Sequence, residues 1–167
     1  MDIKTVGVIG AGQMGNGIAH VMALAGYDVT LNDLSQDALT AALAKIEKNM
    51  VRQVSRNLIT EADMQAGLAR ISPALDVAAL GTADLVIESA TENEDIKNKI
   101  IEGIVPHLPE HTIITSNTSS ISITRLAART DRPEKFMGFH FMNPVPLMQL
   151  VELIRGIATD DETYQSC

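Results

Sequence analysis

Two residues in the last third of the chain, His140 and Glu152, have the types and the spacing of a proton-transfer pair. His140 lies between Phe139 and Phe141 in an apolar run, and Glu152 follows it by twelve positions in a second apolar run. Histidine titrates near neutral pH and suits a general base, while a carboxylate can fix its tautomer and stabilise the imidazolium. From spacing alone, a core histidine with a solvent-facing glutamate is the simpler interpretation.

The pair can meet only if two short strands flank a turn. Residues 135–142 predict one strand and residues 148–154 predict another, because Pro144 and Pro146 between them interrupt any ladder. In the first strand, His140 points away from its phenylalanine neighbours. In the second, an isolated glutamate between apolar residues is expensive to bury unless a partner compensates its charge. Two such strands can bring the two side chains together, and a histidine partner would explain the presence of the glutamate.

A glycine-rich loop near the amino terminus has the G-x-G-x-x-G spacing of a dinucleotide-binding turn. Gly10, Gly12 and Gly15 follow a β-rich run and open a helical one. In that context, the first glycine permits a tight turn, the second lets a pyrophosphate approach the backbone, and the third lets helix and strand pack closely. We expect Gln13 and Met14, which lie between the second and the third glycine, to contact the cofactor as well. A plain glycine-rich turn is the alternative.

An acidic residue stands where a NAD-binding fold requires one. Asp33 ends the second predicted strand, eighteen residues after Gly15. A carboxylate there hydrogen-bonds the ribose hydroxyls of NAD and repels the 2′-phosphate of NADP, and no arginine follows closely to accommodate that phosphate. The loop and the aspartate together predict a NAD site, and the alternative is an ordinary surface aspartate.

Strand and helix signals alternate along the whole chain. Strands are predicted over residues 5–10, 27–33, 83–89, 111–117, 135–142 and 148–154. Helices are predicted over residues 14–25, 36–54, 61–69, 94–105 and 122–128. This alternation predicts an α/β fold of the Rossmann type, with a doubly wound, mostly parallel sheet and helices on both faces.

Composition excludes several classes of protein. The chain has 167 residues, of which 46% are hydrophobic, and a formal net charge of −8, so it is globular and acidic. The acidic balance argues against a nucleic-acid partner, and no apolar run is long enough for a membrane partner. The single cysteine cannot form an intrachain disulfide, which fits a cytoplasmic location. No cysteine or histidine spacing indicates a metal site.

Four segments together resemble the NAD-dependent 3-hydroxyacyl-CoA dehydrogenase family, nearest to its bacterial 3-hydroxybutyryl-CoA branch. They are VGVIGAGQMGNGIA, VIESATENEDIKNKI, ITSNTSSISIT and GFHFMNPVPLMQLVELIRG. The block from SNTSS to LVELIRG is far more specific than the glycine loop, and the resemblance covers essentially the whole chain. It implies oxidation of the 3-hydroxyl of an acyl-CoA to a ketone, with hydride transfer to NAD.

The resemblance also implies roles for single residues. His140 and Glu152 match the family's catalytic pair, and Ser119, twenty-one positions before the histidine, matches a serine that contacts the substrate. Glu92 and Lys97 match a glutamate and a lysine near the nicotinamide ribose. Without the resemblance, a helix cap and a surface charge explain Glu92 and Lys97 equally well.

Asn117 and Ser119 follow a predicted strand at the carboxyl edge of the sheet. Ligands bind at that edge in doubly wound folds, so we expect Asn117 to contact the cofactor. A helix cap or a turn is an equally good reading of both residues from the sequence alone.

Four basic residues, Lys45, Lys48, Arg52 and Arg56, recur at helical spacing along the predicted helix 36–54 and its end. CoA carries a 3′-phosphate and a pyrophosphate, which an acidic protein can bind only at a locally positive site. Lys48, Arg52 and Arg56 are therefore candidates for binding the acyl-CoA substrate. A solvated helix face is the alternative for each of them.

The sequence TDDE predicts one more helix, with Thr159 as its N-cap and Glu162 three positions later, shortly before Cys167. The resemblance implies a second, all-helical domain that supplies an active-site asparagine and most of a homodimer interface. We therefore expect residues 1–167 to be the NAD-binding domain of a longer, homo-oligomeric enzyme, with little activity alone. A NAD-binding module without turnover, such as a redox sensor or a crystallin-like structural relative, is the alternative.

Overall fold

A computed structural model describes residues 1–167 as a seven-stranded sheet with helices on both faces. The strands are β1 (Thr5–Ile9), β2 (Asp28–Asn32), β3 (Ile71–Ala74), β4 (Leu85–Glu88), β5 (Ile113–Ser116), β6 (Phe136–Phe141) and β7 (Val151–Arg155). The helices are α1 (Gln13–Leu24), α2 (Gln36–Ser55), α3 (Glu61–Ala69), α4 (Glu94–Ile104), α5 (Ile123–Ala127) and α6 (Asp161–Ser166). The predicted Rossmann-type fold is confirmed.

The strand order places a ligand site at one edge of the sheet. The order is β3-β2-β1-β4-β5-β6-β7, with β7 alone antiparallel to its neighbour. From β1, the chain first builds outward through β2 and β3, and then crosses to build β4 to β7 on the other side. This reversal opens a crevice at the carboxyl ends of β1 and β4, where doubly wound sheets bind ligands.

Two apolar layers cover the sheet and explain why its strands read as almost unbroken hydrophobic runs. One layer packs α1, α2 and α3 against one face and includes Ile18, Leu39 and Phe139. The other packs α4 and α5 against the opposite face and includes Ile101 and Phe136. None of the helices combines the length and the apolar character needed to cross a membrane.

The start of helix α3 follows directly from its sequence. The Thr60 hydroxyl accepts a hydrogen bond from the Asp63 backbone N–H at 3.0 Å, and the Asp63 carboxylate accepts one from the Thr60 backbone N–H at 2.9 Å. This reciprocal capping box satisfies two otherwise unpaired donors at the helix end. The local sequence pattern therefore positions this turn without help from the rest of the fold.

Helix α6 begins one residue later than the sequence predicts, because Thr159 is engaged elsewhere. The buried Thr159 hydroxyl donates to the Phe136 carbonyl at 2.7 Å and accepts from the Gly156 N–H at 2.8 Å. Asp160 is the N-cap instead, and its carboxylate accepts from the Thr163 N–H at 2.7 Å. The predicted capping box of Thr159 and Glu162 is wrong.

Two strand predictions also need correction. Strand β3 lacks a prediction, because a four-residue edge strand that contains Pro73 resembles a loop in sequence. The last strand begins at Val151 and not at residue 148, so the apolar side chains of Met148 and Leu150 lie outside the ladder and are exposed. The remaining predicted elements agree with the structure to within a few residues.

Candidate active site

The glycine loop has the geometry that a bound pyrophosphate requires. Gly10 adopts a positive φ of 94°, and a Cβ on Gly15 would lie 1.6 Å from the Gly10 carbonyl oxygen. Gly12 is different, since a Cβ there would meet nothing within 4 Å, which leaves open space above the loop. Helix α1 starts beneath that space with no side chain capping its first turn, so its N–H groups are available to an anion.

Asp33 lies beside the loop at the end of β2 and is fastened to it. Its carboxylate accepts hydrogen bonds from the Ala11 N–H and the Ser35 N–H, both at 2.9 Å. It borders a largely apolar pocket of about 480 Å³, called the Asp33 pocket here. The pocket is lined by Ile9, Gly10, Asn32, Asp33, Leu34, Val77, Ala90, Ile96, Lys99, Ile100, Gly103 and Ile104. An apolar slot with a carboxylate at its rim fits an adenosine with its ribose hydroxyls.

The antiparallel pairing of β6 and β7 brings His140 and Glu152 directly opposite each other. His140 Nδ1 and Glu152 Oε2 are 2.8 Å apart, which is a hydrogen bond that the imidazole donates. The glutamate side chain is 51% exposed, against 19% for the histidine, so the cost of burying a lone carboxylate does not explain the pairing. Phe139 and Phe141 pack in the core, so His140 is the only titratable side chain that this strand brings to the site.

A pocket of about 360 Å³ opens beside His140 at the carboxyl ends of β4, β5 and β6, and is called the histidine pocket here. It is lined by Met14, Ser89, Ala90, Glu92, Lys97, Asn117, Ser119, His140, Phe141, Met142 and Asn143. Six of the residues singled out in the sequence therefore meet at one place, although they come from four separate segments. Their convergence is a consequence of the parallel strand order, which no local pattern encodes.

Glu92 is held by the loop that carries Ser119. It accepts hydrogen bonds from the Thr118 hydroxyl at 2.6 Å and from the Ser119 N–H at 3.1 Å. Burial opposes ionisation of Glu92, but these hydrogen bonds and the Lys97 charge outweigh it and lower the pKa of the carboxyl. The helix-cap alternative for Glu92 is wrong, because Asn93 caps α4 and accepts from the Ile96 N–H.

Lys97 is not a surface charge. The residue is only 1% exposed, and its ammonium donates to both carboxylate oxygens of Glu88 at 2.8 and 2.9 Å. The ammonium also lies 4.0 Å from Glu92 Oε1, at the floor of the histidine pocket. The sequence analysis overlooked Glu88, whose one available signal was an acid closing the otherwise apolar strand β4.

Asn117 serves as a link between strands. Its side-chain oxygen accepts a hydrogen bond from the Phe141 N–H at 2.8 Å, just past the end of the β5–β6 pairing. The amide therefore fixes the backbone next to His140, at the point where β6 leaves β5. A cofactor contact remains compatible with this geometry because Asn117 also lines the histidine pocket.

The basic residues of α2 border a third pocket of about 370 Å³, called the basic pocket here. It is lined by Gln13, Lys45, Asn49, Arg52, Gln53, Arg56, Leu58, Pro144, Pro146 and Leu147. Arg52 and Arg56 line this pocket together with Lys45, whereas Lys48 does not line it. The Lys45 ammonium donates to the side-chain oxygen of Gln13, which ties α2 to the start of α1.

His20 is a buried histidine on α1 outside these pockets. Its Nε2 is 2.8 Å from the Gln53 side-chain oxygen, and its Nδ1 has no partner. Burial lowers the pKa of His20, with the Gln53 hydrogen bond opposing part of that shift. The chain has no group of three histidine, cysteine, aspartate or glutamate side chains that could hold a metal ion.

Comparison with known families gives a match along almost the whole chain. Residues 5–167 match the family described as 3-hydroxyacyl-CoA dehydrogenase, NAD binding domain. A 3-hydroxybutyryl-CoA dehydrogenase of Bradyrhizobium diazoefficiens is 60% identical over 164 residues, which are 98% of this chain and 56% of that protein. The chain thus spans little more than half the length of this relative.

Solved structures agree with the sequence match. The 3-hydroxybutyryl-CoA dehydrogenase of Escherichia coli K12 superposes with a TM-score of 0.97 at 43% identity, over 100% of this chain and 36% of that one. The (S)-3-hydroxybutyryl-CoA dehydrogenase PaaH1 of Ralstonia eutropha gives a TM-score of 0.96 at 48% identity, over 99% of this chain and 58% of that one.

Proposed function

We propose, since the chain belongs to the 3-hydroxyacyl-CoA dehydrogenase family through its NAD-binding domain, that it works in the interconversion of a 3-hydroxyacyl-CoA and a 3-ketoacyl-CoA. The family confirms NAD as the cofactor that the glycine loop and Asp33 predicted. The substrate, the reaction and the roles of single residues are proposals for the whole protein, because the relatives are longer than this chain.

The observation that carries this proposal is the contact between His140 and Glu152 at the rim of the histidine pocket. A neutral imidazole that donates its Nδ1–H to Glu152 leaves Nε2 as a proton acceptor. Nε2 takes the proton of the substrate hydroxyl, and Glu152 stabilises the imidazolium that forms. NAD, when bound, accepts the hydride from the carbon that carries this hydroxyl, so a carbonyl results. In the reverse direction, the imidazolium returns the proton to the carbonyl oxygen.

The other residues of the histidine pocket orient the two reactants. Ser119 has a hydroxyl that can contact the substrate oxygen, and its backbone N–H fixes Glu92. Glu92, Lys97 and Asn117 face the nicotinamide ribose.

The cofactor's remaining parts lie along the crevice toward β2. The pyrophosphate binds over the loop formed by Gly10, Gly12 and Gly15, where Gln13 and Met14 contribute the exposed first turn of α1. The adenosine occupies the Asp33 pocket, with Asp33 at its ribose. These placements agree with the open space above Gly12 and with the apolar lining of the Asp33 pocket.

The basic pocket accepts the phosphates of CoA. Arg52 and Arg56 provide two permanent cations on one wall, and Lys45 adds a third. The opposite wall is the Pro144–Leu147 segment, which directly continues the strand that carries His140. An acyl chain attached to a CoA bound here therefore has a short path to the histidine. Lys48 lies on the same helix and contributes only long-range attraction.

The test is NADH-dependent reduction of acetoacetyl-CoA by the natural full-length protein. We expect turnover with NADH, much slower turnover with NADPH, and little turnover with free acetoacetate, because acetoacetate lacks the CoA that the basic pocket binds. NADH binding without any acyl-CoA turnover would instead support a NAD-binding module. Equal rates with acetoacetate and acetoacetyl-CoA would remove the role of the basic pocket.

A further inference from the structure

The carboxylate of Glu88 gathers four hydrogen-bond contacts although it is completely buried. It accepts from the Lys97 ammonium at 2.8 and 2.9 Å, from the Ser116 hydroxyl at 2.6 Å and from the Ala90 N–H at 2.8 Å. The three partner residues come from α4, from β5 and from the loop after β4. Glu88 itself does not line the histidine pocket, so the reaction proposed above does not use it.

Contacts run from this carboxylate to the groups that do line the pocket. Lys97 connects Glu88 to the floor of the pocket and lies 4.0 Å from Glu92. The Asn117 N–H donates to the backbone carbonyl of Glu88 at 2.8 Å, which fixes the start of the loop that carries Ser119. A change at Glu88 can therefore reach the cofactor site through two short routes.

The two carboxylates near the Lys97 ammonium, those of Glu88 and Glu92, contribute unequally to holding it in place. A buried ammonium is unfavourable unless a carboxylate compensates it, and this one has a fully buried carboxylate on one side and the half-exposed Glu92 on the other. Glu92 is engaged by Thr118 and Ser119, so Glu88 is the partner that holds Lys97 in place. If Glu88 and Lys97 served only to fill space, an apolar pair of similar size would do so without the cost of burying charge.

We propose that Glu88 is a positioning residue for the cofactor, because it holds the Lys97 ammonium in place near Glu92 at the floor of the histidine pocket. The proposal rests on the proposed function, in which Glu92 and Lys97 face the nicotinamide ribose. Glu88 acts through Lys97 and does not contact the cofactor itself.

The proposal has a binding signature that a purely structural role lacks. In the proposed function, Glu92 and Lys97 lie near the nicotinamide ribose, while the adenosine occupies the Asp33 pocket at the other end of the crevice. A Glu88→Gln variant leaves the buried ammonium without the carboxylate that holds it in place. It should therefore lose affinity for NADH but not for ADP, which lacks the nicotinamide and its ribose.

The experiment measures the dissociation constants of NADH and of ADP for the full-length protein. For Glu88→Gln, we expect NADH to bind roughly ten-fold more weakly than it binds to the unmodified protein, with ADP affinity unchanged. Adding Lys97→Met to Glu88→Gln should lower NADH affinity little further, because the two residues act as a pair. Unchanged NADH affinity in Glu88→Gln, or an equal loss of NADH and ADP affinity, would overturn the proposal.

A matched control and a second variant keep the test decisive. Glu94→Gln removes the same charge from the first turn of α4, where Glu94 forms a surface ion pair with Arg125 at 2.9 Å, and this variant should bind NADH normally. If Glu88→Gln does not fold, Glu88→Asp keeps the charge but draws the ammonium away, and unchanged NADH affinity there contradicts the proposal. Absence of acetoacetyl-CoA turnover in the unmodified protein would refute the proposed reaction but leave this binding test intact.

Discussion

The two sides of the crevice differ in whether backbone groups or side chains form the site. On the side of β1 and β2, backbone makes the site: a loop of three glycines, the free N–H groups of α1 and one aspartate bound to the loop. On the side of β4 to β7, side chains make it, and they come from distant segments joined by hydrogen bonds. The first side depends on shape, so steric changes should disrupt it. The second depends on charge and proton position, so a substitution that keeps the shape of a side chain but removes its charge or its proton acceptor should be enough to disrupt it.

The largest effect on the backbone side is expected from Gly15→Ala. Its Cβ would lie 1.6 Å from the Gly10 carbonyl oxygen, a backbone atom that cannot yield without moving the loop. Overpacking of this kind is destabilising, so we expect at least roughly 100-fold weaker NADH binding together with a lower melting temperature. Calorimetric titration and thermal melting measure the two effects.

Gly12→Ala is the matched control for Gly15→Ala. Gly12 has a φ of −74° and open space around its Cβ position, so alanine fits the unliganded loop. We expect an unchanged melting temperature and weaker NADH binding, because the methyl group enters the pyrophosphate space. If Gly12→Ala melted as early as Gly15→Ala, the steric account of the loop would be wrong.

Asp33→Asn should change cofactor choice and little else. The amide keeps an oxygen that can accept from Ala11 or Ser35, but it no longer repels a 2′-phosphate. We expect the preference for NADH over NADPH to narrow by about ten-fold, mostly through better NADPH binding. Parallel titrations of both cofactors measure this, and an unaltered preference would separate Asp33 from the adenosine ribose.

A smaller effect is expected at the basic pocket. Arg52→Gln removes a cation that lines the pocket, so the KM for acetoacetyl-CoA should rise several-fold, about the size of one exposed phosphate contact, and less at high salt. Lys48→Gln removes the same charge from the same helix outside the pocket and should raise the KM less. Steady-state kinetics at two salt concentrations decide between them. Equal effects would indicate general attraction and no defined CoA site.

The smallest effect concerns stability and lies outside both halves of the crevice. The lowered pKa of His20 means that the folded protein binds its proton less readily than the unfolded chain does. Stability should therefore fall as the pH drops below the ordinary histidine value of 6.5. His20→Leu should flatten this dependence between about pH 7.5 and about pH 5.5 in urea unfolding. If the pH dependence stayed unchanged in His20→Leu, the pKa of His20 would be the same in the folded and the unfolded state, which contradicts this account.

The backbone side of the crevice was predictable because its determinants are local. The glycine spacing, the following helix and Asp33 lie within one βαβ unit, and the capping box of Thr60 and Asp63 is local too. The side-chain side was predictable only through the family resemblance, because His140 and Glu152 gain meaning only from the pairing of β6 with β7. Their chemical roles stay predictions, as do the all-helical second domain, the homo-oligomer and the cytoplasmic location.

What escaped the sequence analysis was set by contacts between distant segments. Glu88 resembles the polar end of a buried strand until the fold places Lys97 and Ser116 around it. Thr159 has the local pattern of a cap, but the Phe136 carbonyl engages its hydroxyl. Strand β3 exists because β2 offers an open edge, and nothing in its four residues indicates that.

The most direct test of the account is the His140→Gln variant of the full-length protein, assayed for kcat and for NADH affinity. Because glutamine fills the same space but cannot accept the proton, we expect kcat to fall by about 10²–10⁴-fold. NADH affinity should stay close to that of the unmodified protein, since the proposed role of His140 is proton transfer with the substrate and not a contact with the cofactor. Adding Glu152→Gln should lower kcat little further, because the two residues act as a unit. A variant that keeps nearly full kcat would contradict the role of His140 as the proton acceptor. A variant that loses NADH binding together with turnover would contradict it too.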